Sequence, residues 1–265
     1  MNNNVSIWSE NAAGYDAYRP QAPTVLPDIL TQLIQEPNPS LVVDIGCGTG
    51  LSTFLWAERA QQVIGIEPNE NMRRQAEARS IDLDTKNVQF YAGLSTRTGL
   101  PDDCASIVTC SQSLHWMEPE PTFAEIKRIL RPGGLFAAYD YDWPPTIHWE
   151  VEAAYNALVE RVDKIIDELG GEEGVQRWSK KQHLERIRAS GQFRYVKELL
   201  VHNSEMGDAE RFIGMVSSNR VGRVLKQAVS RENLGFDRFK ATIRRVLSDE
   251  PVPWYFSYHV RLGIK

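Results

Sequence analysis

Short apolar runs alternate with amphipathic segments from residue 42 to residue 139. Val42, Val43 and Ile45 form a β-branched run of the kind that fills a strand buried on both faces. Val63–Ile66, Val88–Ala92, Ser106–Ser111 and Leu135–Tyr139 read as four further strands. Between them the period lengthens. Leu51–Ala60 is predicted helical, with Leu51, Phe54 and Leu55 on one face. Pro68–Asn69 opens another helix, with Asn69 placed to cap it, and Thr122–Leu130 presents Phe123, Ile126 and Leu130 on one side. Upstream, a helix over Val25–Gln35 runs into Pro37–Asn38–Pro39, a break before the first strand. Strand, helix, strand in this order predicts an α/β doubly wound, mostly parallel sheet.

Past residue 145 the rhythm changes. Val151, Tyr155, Leu158, Val162, Ile165 and Leu169 share a helical face that ends at Gly170–Gly171. A second helix carries Trp178 to Ile187, Phe193–His202 reads as a strand, and Asp208–Val229 and Phe236–Leu247 read as helices. The aromatic-rich Val252–Val260 closes the chain as a strand. On helix Asp208–Val229, Arg211, Met215 and Asn219 fall on one face, which suits a pocket lining and a solvated amphipathic helix equally. No internal repeat or low-complexity segment interrupts the chain.

Chemistry enters at the first strand-to-helix turn, Asp44–Ile45–Gly46–Cys47–Gly48–Thr49–Gly50. Alternate glycines let the chain turn tightly and bring backbone N–H groups close to a ligand at a helix start. A dinucleotide fingerprint has its third glycine five positions after the first, whereas Gly50 is four positions after Gly46. A phosphate loop needs Gly-Lys-Ser/Thr, which does not follow. Glu67 ends the second strand 21 positions past Gly46, where a doubly wound fold places a carboxylate on ribose hydroxyls.

The pattern D-x-G-x-G-x-G resembles motif I of the class I S-adenosylmethionine-dependent methyltransferases. Several later motifs follow in the same order. Tyr15–Asp16–Ala17–Tyr18–Arg19–Pro20 is similar to the N-terminal motif of the small-molecule, type 11-like branch. Leu100–Pro101 leads into a strand as in that branch, departing from it at Ala105–Ser106. Ser111–Gln112–Ser113–Leu114–His115–Trp116 is similar to its segment after strand four, and Arg131–Pro132–Gly133–Gly134 to its helix-ending turn.

The resemblance implies a Rossmann-like seven-strand sheet with the last strand antiparallel, and a helical cap over the strand ends. It implies one domain over residues 1–265, with a core near 37–143 and 192–265 and a cap from 1–30, 147–190 and 206–248. It carries contact with S-adenosylmethionine onto Asp44, Gly46, Cys47 and Gly48 in the turn, onto Glu67, Pro68 and Met72 after strand two, and onto Leu94 and Ser95 after strand three. Ser111, Gln112, His115 and Trp116 follow from strand four. Leu94 and Ser95 stand where the family usually has an acid or amide. Tyr15 and Arg19 would reach the cofactor's carboxylate, a fit to the bidentate guanidinium fork; packing of a short N-terminal helix by Trp8, Tyr15 and Tyr18 is the other reading. Trp116 offers an aromatic face to a sulfonium. His115, Asp140 and His148 are the candidates to take a proton from an acceptor or orient it, with Asp142 beside them. The product would be S-adenosylhomocysteine, and the partner a small-molecule acceptor.

Composition narrows the alternatives. The net charge is −5 and Lys and Arg are spread along the chain, unlike the concentrated basic footprint of a nucleic-acid binder. There is no membrane-spanning apolar run and no signal peptide at Met1–Asn4, so a cytoplasmic location is expected. Cys47, Cys104 and Cys110 have no C-x-x-C pairing, which argues against a disulfide framework and a zinc site. A Rossmann oxidoreductase is disfavoured by the glycine spacing and by the missing Tyr-x-x-x-Lys pair. A non-catalytic cofactor binder on the same scaffold stays open.

Overall fold

The computed structural model describes residues 18–168, 176–226 and 234–265. After α1 (Leu26–Ile34), the strands β1 (Val42–Ile45), β2 (Val63–Ile66), β3 (Val88–Tyr91) and β4 (Ala105–Ser111) alternate with a 3₁₀ turn, Thr53–Trp56, and with α2 (Glu70–Asp82). Then come α3 (Pro119–Ile129), β5 (Leu130–Tyr141), α4 (Trp149–Glu168) and α5 (His183–Ala189). The chain ends with β6 (Tyr195–Gly207), α6 (Ala209–Ser217), α7 (Arg220–Lys226), α8 (Phe236–Leu247) and β7 (Val252–Ile264). The seven strands form one sheet in the order β3-β2-β1-β4-β5-β7-β6, and β7 is antiparallel to both of its neighbours. This is the expected Rossmann-like topology with the last strand reversed.

The strand order follows from burial. Every residue of β1 is buried and it pairs in parallel with β2 on one side and β4 on the other. Successive side chains of β1 and β5 therefore feed two cores. On one face Val42, Val63, Leu135 and Ala137 pack with Leu26 and Leu30 of α1 and with α4, α6 and α8. On the other, Val43, Ile45, Phe136 and Ala138 pack with Phe123, Ile126 and Ile129 of α3. The late helices thus share an apolar cluster with one sheet face.

Three helices differ from the sequence expectation. The helix over Leu51–Ala60 contracts to the turn Thr53–Trp56, because Ser52 and Thr53 point inward. The Ser52 hydroxyl meets the Tyr139 hydroxyl and the Thr53 hydroxyl donates to Asp44 at 2.7 Å. The helix over Asp208–Val229 breaks between α6 and α7, where Asn219 Oδ1 accepts from the Val221 N–H at 2.8 Å and starts a new helix; its end, 227–229, lies outside the described residues. The segment Trp178–Ile187 is a 3₁₀ turn at Lys180–Gln182 followed by α5. The late strands run longer than expected because β6 and β7 pair along their whole lengths. No described helix is long and apolar enough to cross a membrane.

Candidate functional site

The sheet order reverses between β1 and β4, so their carboxyl ends open onto one crevice. Gly46 and Gly48 leave β1 with φ of +68° and +57°. A Cβ on Gly46 would lie 2.7 Å from Met117 Cε and 2.8 Å from Ser113 Cβ, so only glycine brings the turn this close to the end of β4. Beside Gly48 there is no atom within 4 Å of the equivalent position; the turn faces a cavity of ≈ 310 Å³.

Glu67, at the end of β2, lines that cavity while 9% exposed. Its carboxylate accepts from the Gly48 N–H at 2.9 Å and the Asn69 N–H at 2.8 Å. Burial raises its pKa against those two N–H groups. Asn69 caps α2 by accepting from the Met72 N–H at 3.1 Å, which seats Met72 in the wall. Cys47, Pro68, Leu94, Ser95, Ser111, Gln112 and Trp116 complete much of the lining. Cys47 is buried with its thiol pushed up by burial, so it is a wall rather than a nucleophile.

Asp44 sits elsewhere than expected. It is fully buried beneath the turn, with Oδ2 accepting from Thr53 and Oδ1 from Thr109 at 2.9 Å, and it lines neither large cavity. Burial, only partly offset by those hydroxyls, raises its pKa to about 6. Its work here is to hold the turn from below.

A second cavity of ≈ 570 Å³ adjoins the first. Arg19, Gln112, Trp116, Tyr141 and Trp178 belong to both walls. Arg19 donates to the Tyr141 hydroxyl at 3.1 Å. Gln112 follows β4 with φ +52°, an uncommon conformation for a residue with a side chain, held by its N–H on the Tyr139 carbonyl at 3.0 Å. Its Oε1 accepts from Lys180 Nζ at 2.5 Å, and its buried Nε2 has no partner among the described residues. The Arg177 guanidinium lies 4.2 Å from the centre of the Trp116 ring. Trp143 and Tyr155 add aromatic surface, with ring centres 5.4 Å apart.

The three proton-transfer candidates part company. His115 lines the second cavity, and its Nδ1 is buried 3.8 Å from Asp140 Oδ1. Burial, then the nearby Lys180 and Arg177, push its pKa well below the ordinary value, so the ring is neutral. Asp140 lies behind the wall, with Lys180 Nζ at 3.0 Å from Oδ1 and Arg261 Nη1 at 3.1 Å from Oδ2. His148 is exposed at the start of α4, accepts from the Glu150 N–H at 3.2 Å, and touches neither cavity. Asp142 is exposed and faces His259 at 3.2 Å. Tyr15 and Trp8 lie outside the described residues. Arg177, Lys180, Arg220 and Arg223 were missed as site residues, because no local period marks them; the aromatic density of residues 139–143 was the one available signal. Arg211 turns away to Glu205 and the Met206 carbonyl, whereas Asn219 does line the second cavity. Among the described residues no group of His, Cys, Asp and Glu could hold a metal ion.

Comparison with known proteins bears on this arrangement. Residues 43–138 match the family model described as a methyltransferase domain, Methyltransf_11. A probable S-adenosylmethionine-dependent methyltransferase of Saccharomyces cerevisiae is 32% identical over 135 residues, 50% of this chain and 46% of that protein. An uncharacterized methyltransferase-like protein of Schizosaccharomyces pombe is 26% identical over 165 residues, 61% of this chain and 58% of the relative. The chain thus spans about half the length of the curated relatives it matches. The solved structure of a putative type II methyltransferase from Anaeromyxobacter dehalogenans shares the fold at a TM-score of 0.70 and 20% identity, covering 93% of this chain and 98% of that one. Residues 43–138, the sheet half that carries the glycine turn, thus match a methyltransferase domain, and the seven-strand sheet shares its fold with that solved structure.

Proposed function

We propose that the chain transfers a methyl group from S-adenosylmethionine to a small molecule, with the cofactor in the first cavity and the acceptor in the second. The observation that carries this reading is the shared wall: the chamber at the glycine turn has Arg19, Gln112, Trp116, Tyr141 and Trp178 in common with a second chamber lined by aromatic side chains. The donor set fits the cofactor. Glu67 offers a carboxylate to ribose hydroxyls, Gly46, Cys47 and Gly48 offer backbone, and Pro68, Met72, Leu94 and Ser95 offer an apolar slot. Arg19 suits the amino-acid carboxylate, and Tyr15 is assigned beside it by motif. Residues 147–190 and 206–248 are read as the cap over one core within a single domain, and the cytoplasmic location belongs to the same reading.

When bound, the cofactor supplies a methyl group already activated by its sulfonium charge. The protein's part is then alignment and exclusion of water. Gln112, Trp116 and Tyr141 lie where the two ligands meet. Trp116 presents an aromatic face to a cation. His115, held neutral by burial, is the one proton-transfer candidate on that wall. Asp140 orients Lys180, and through it Gln112, rather than acting on the acceptor.

Isothermal titration with S-adenosylhomocysteine tests the reading. The wild type binds it, and Glu67→Gln weakens binding about tenfold to a hundredfold, the value of a charged hydrogen-bond acceptor. Wild type that binds a nicotinamide dinucleotide but not S-adenosylhomocysteine overturns it. A methyl-transfer assay with a panel of acceptors separates an enzyme from a silent cofactor binder.

A further inference from the structure

Gln112 follows β4 on the wall that the two chambers share. Its backbone is pinned at φ +52° by the N–H bond to the Tyr139 carbonyl. Its side chain is pinned by Lys180, whose Nζ donates to Oε1 at 2.5 Å. An ammonium group has three donors and no acceptor, so it decides which end of the amide it meets. A half-turn of the amide would set NH2 against NH3+, and the oxygen end therefore belongs to Lys180. Lys180 is held in turn by Asp140, with Oδ1 at 3.0 Å, and Asp140 by Arg261 of β7 at 3.1 Å. What remains is the donor end. Gln112 Nε2 is buried with no partner among the described residues. Buried amide donors are rarely left so, because each loses its hydration without return. The charged bond at Oε1 also polarises the amide and strengthens Nε2 as a donor. Trp143, Tyr155, Val159 and Val162 give the second chamber its apolar surface.

We propose that Gln112 Nε2 recognises the methyl acceptor by donating to a carbonyl oxygen close to the atom that takes the methyl group, and that Lys180 is the positioning residue that sets its polarity. The inference rests on the methyltransferase reading and deepens it: the acceptor is an apolar or aromatic body that bears a carbonyl oxygen near its reacting end. Gln112 is common to the cofactor wall and the acceptor wall, which places that oxygen near the site of transfer. A donor already oriented and already desolvated discriminates through the oxygen it is offered. A molecule of the same shape without one leaves the N–H2 buried and unpaired. Gln112 gives up no proton and forms no covalent bond in this role.

Binding to the full chain at saturating S-adenosylhomocysteine tests it, read by tryptophan fluorescence, since Trp143 and Trp178 line the chamber. The probes are 4-phenylbutan-2-one and butylbenzene, two molecules of nearly one shape that differ at the carbonyl oxygen. The ratio of their dissociation constants is the readout, so that the cost of bringing each out of water cancels between variants. Gln112→Glu keeps the shape and the Lys180 bond but presents a carboxylate oxygen in place of N–H2. It should shift the ratio about tenfold or more against the ketone. Lys180→Met frees the amide to turn and should shift the ratio about threefold or more in the same direction. Lys180→Arg still donates to Oε1 and should restore most of it. Butylbenzene affinity near the wild-type value in each variant shows a folded protein with its chamber intact. An unchanged ratio in Gln112→Glu, a ratio that Lys180→Arg fails to restore, equal loss of both probes in the variants, or a wild type that binds neither probe overturns the proposal. Each of these leaves the cofactor reading in place. Failure of the wild type to bind S-adenosylhomocysteine is the separate result that removes both.

Discussion

Asp44 shows what a motif residue does once its surroundings are known. Its carboxyl is fully buried and its pKa is raised to about 6 by that burial, against an unfolded value of 3.8. A carboxyl with a raised folded pKa contributes stability that is complete below the unfolded value and is lost as pH rises through the folded one. His183 has the opposite sign. Burial lowers it to about 4, so its contribution is present above the ordinary histidine range and is lost as pH falls toward that value. Asp44→Asn isolates the first effect. Between pH 5 and pH 8 the wild type should lose about 1.4 kcal/mol that the variant keeps. Urea denaturation of both proteins at the two pH values measures it, and parallel changes would mean that Asp44 titrates normally.

At the scale of elements, the junction of α6 and α7 is set by one side chain. Asn219 accepts from the Val221 N–H and ends what would otherwise be a continuous helix. Asn219→Ala should cost about 1 kcal/mol in chemical denaturation, the usual value of a helix start. No change would mean that packing alone fixes the break. This junction also marks the limit of what the residues disclose. The βαβ rhythm was legible because Val42–Ile45, Val63–Ile66 and Ser106–Ser111 are apolar for a reason no other local structure shares: burial on both faces. The glycine turn and Glu67 were legible through spacing. Ser52 and Thr53 gave no such warning, since their inward bonds depend on Tyr139 and Asp44 arriving from distant strands. Arg177, Lys180 and Arg223 stayed hidden for the same reason. Long charged side chains at the surface and in a chamber look alike in sequence, and only the fold brings these together.

Across the molecule, a buried ionic chain ties the late elements to the sheet. Arg261 of β7 reaches Asp140 of β5 at 3.1 Å and Glu198 of β6 at 3.0 Å, and Asp140 reaches Lys180 ahead of α5. Arg261 and Asp140 side chains are 6% and 5% exposed. Removing one partner leaves a buried charge uncompensated, so Arg261→Met should destabilise the protein by about 3 kcal/mol or more. Thermal and urea unfolding check this, and a loss below about 1 kcal/mol would mean that Lys180 alone compensates Asp140. The variant should also loosen Gln112, because Lys180 bonds both groups.

The wall held in common by the two chambers carries a consequence for order. Arg19, Gln112, Trp116, Tyr141 and Trp178 cannot be fixed for one occupant and remain free for the other. Filling the glycine-turn chamber therefore prepays part of the conformational entropy of the second binding event. Thermodynamic linkage then requires each ligand to tighten the other by the same factor, on the order of fivefold or more for a coupling of about 1 kcal/mol. The factor should be the same whichever chamber is filled first. Titration of an acceptor taken from the methyl-transfer panel, with and without S-adenosylhomocysteine, measures the factor directly, and identical affinities in both would show two chambers that ignore each other.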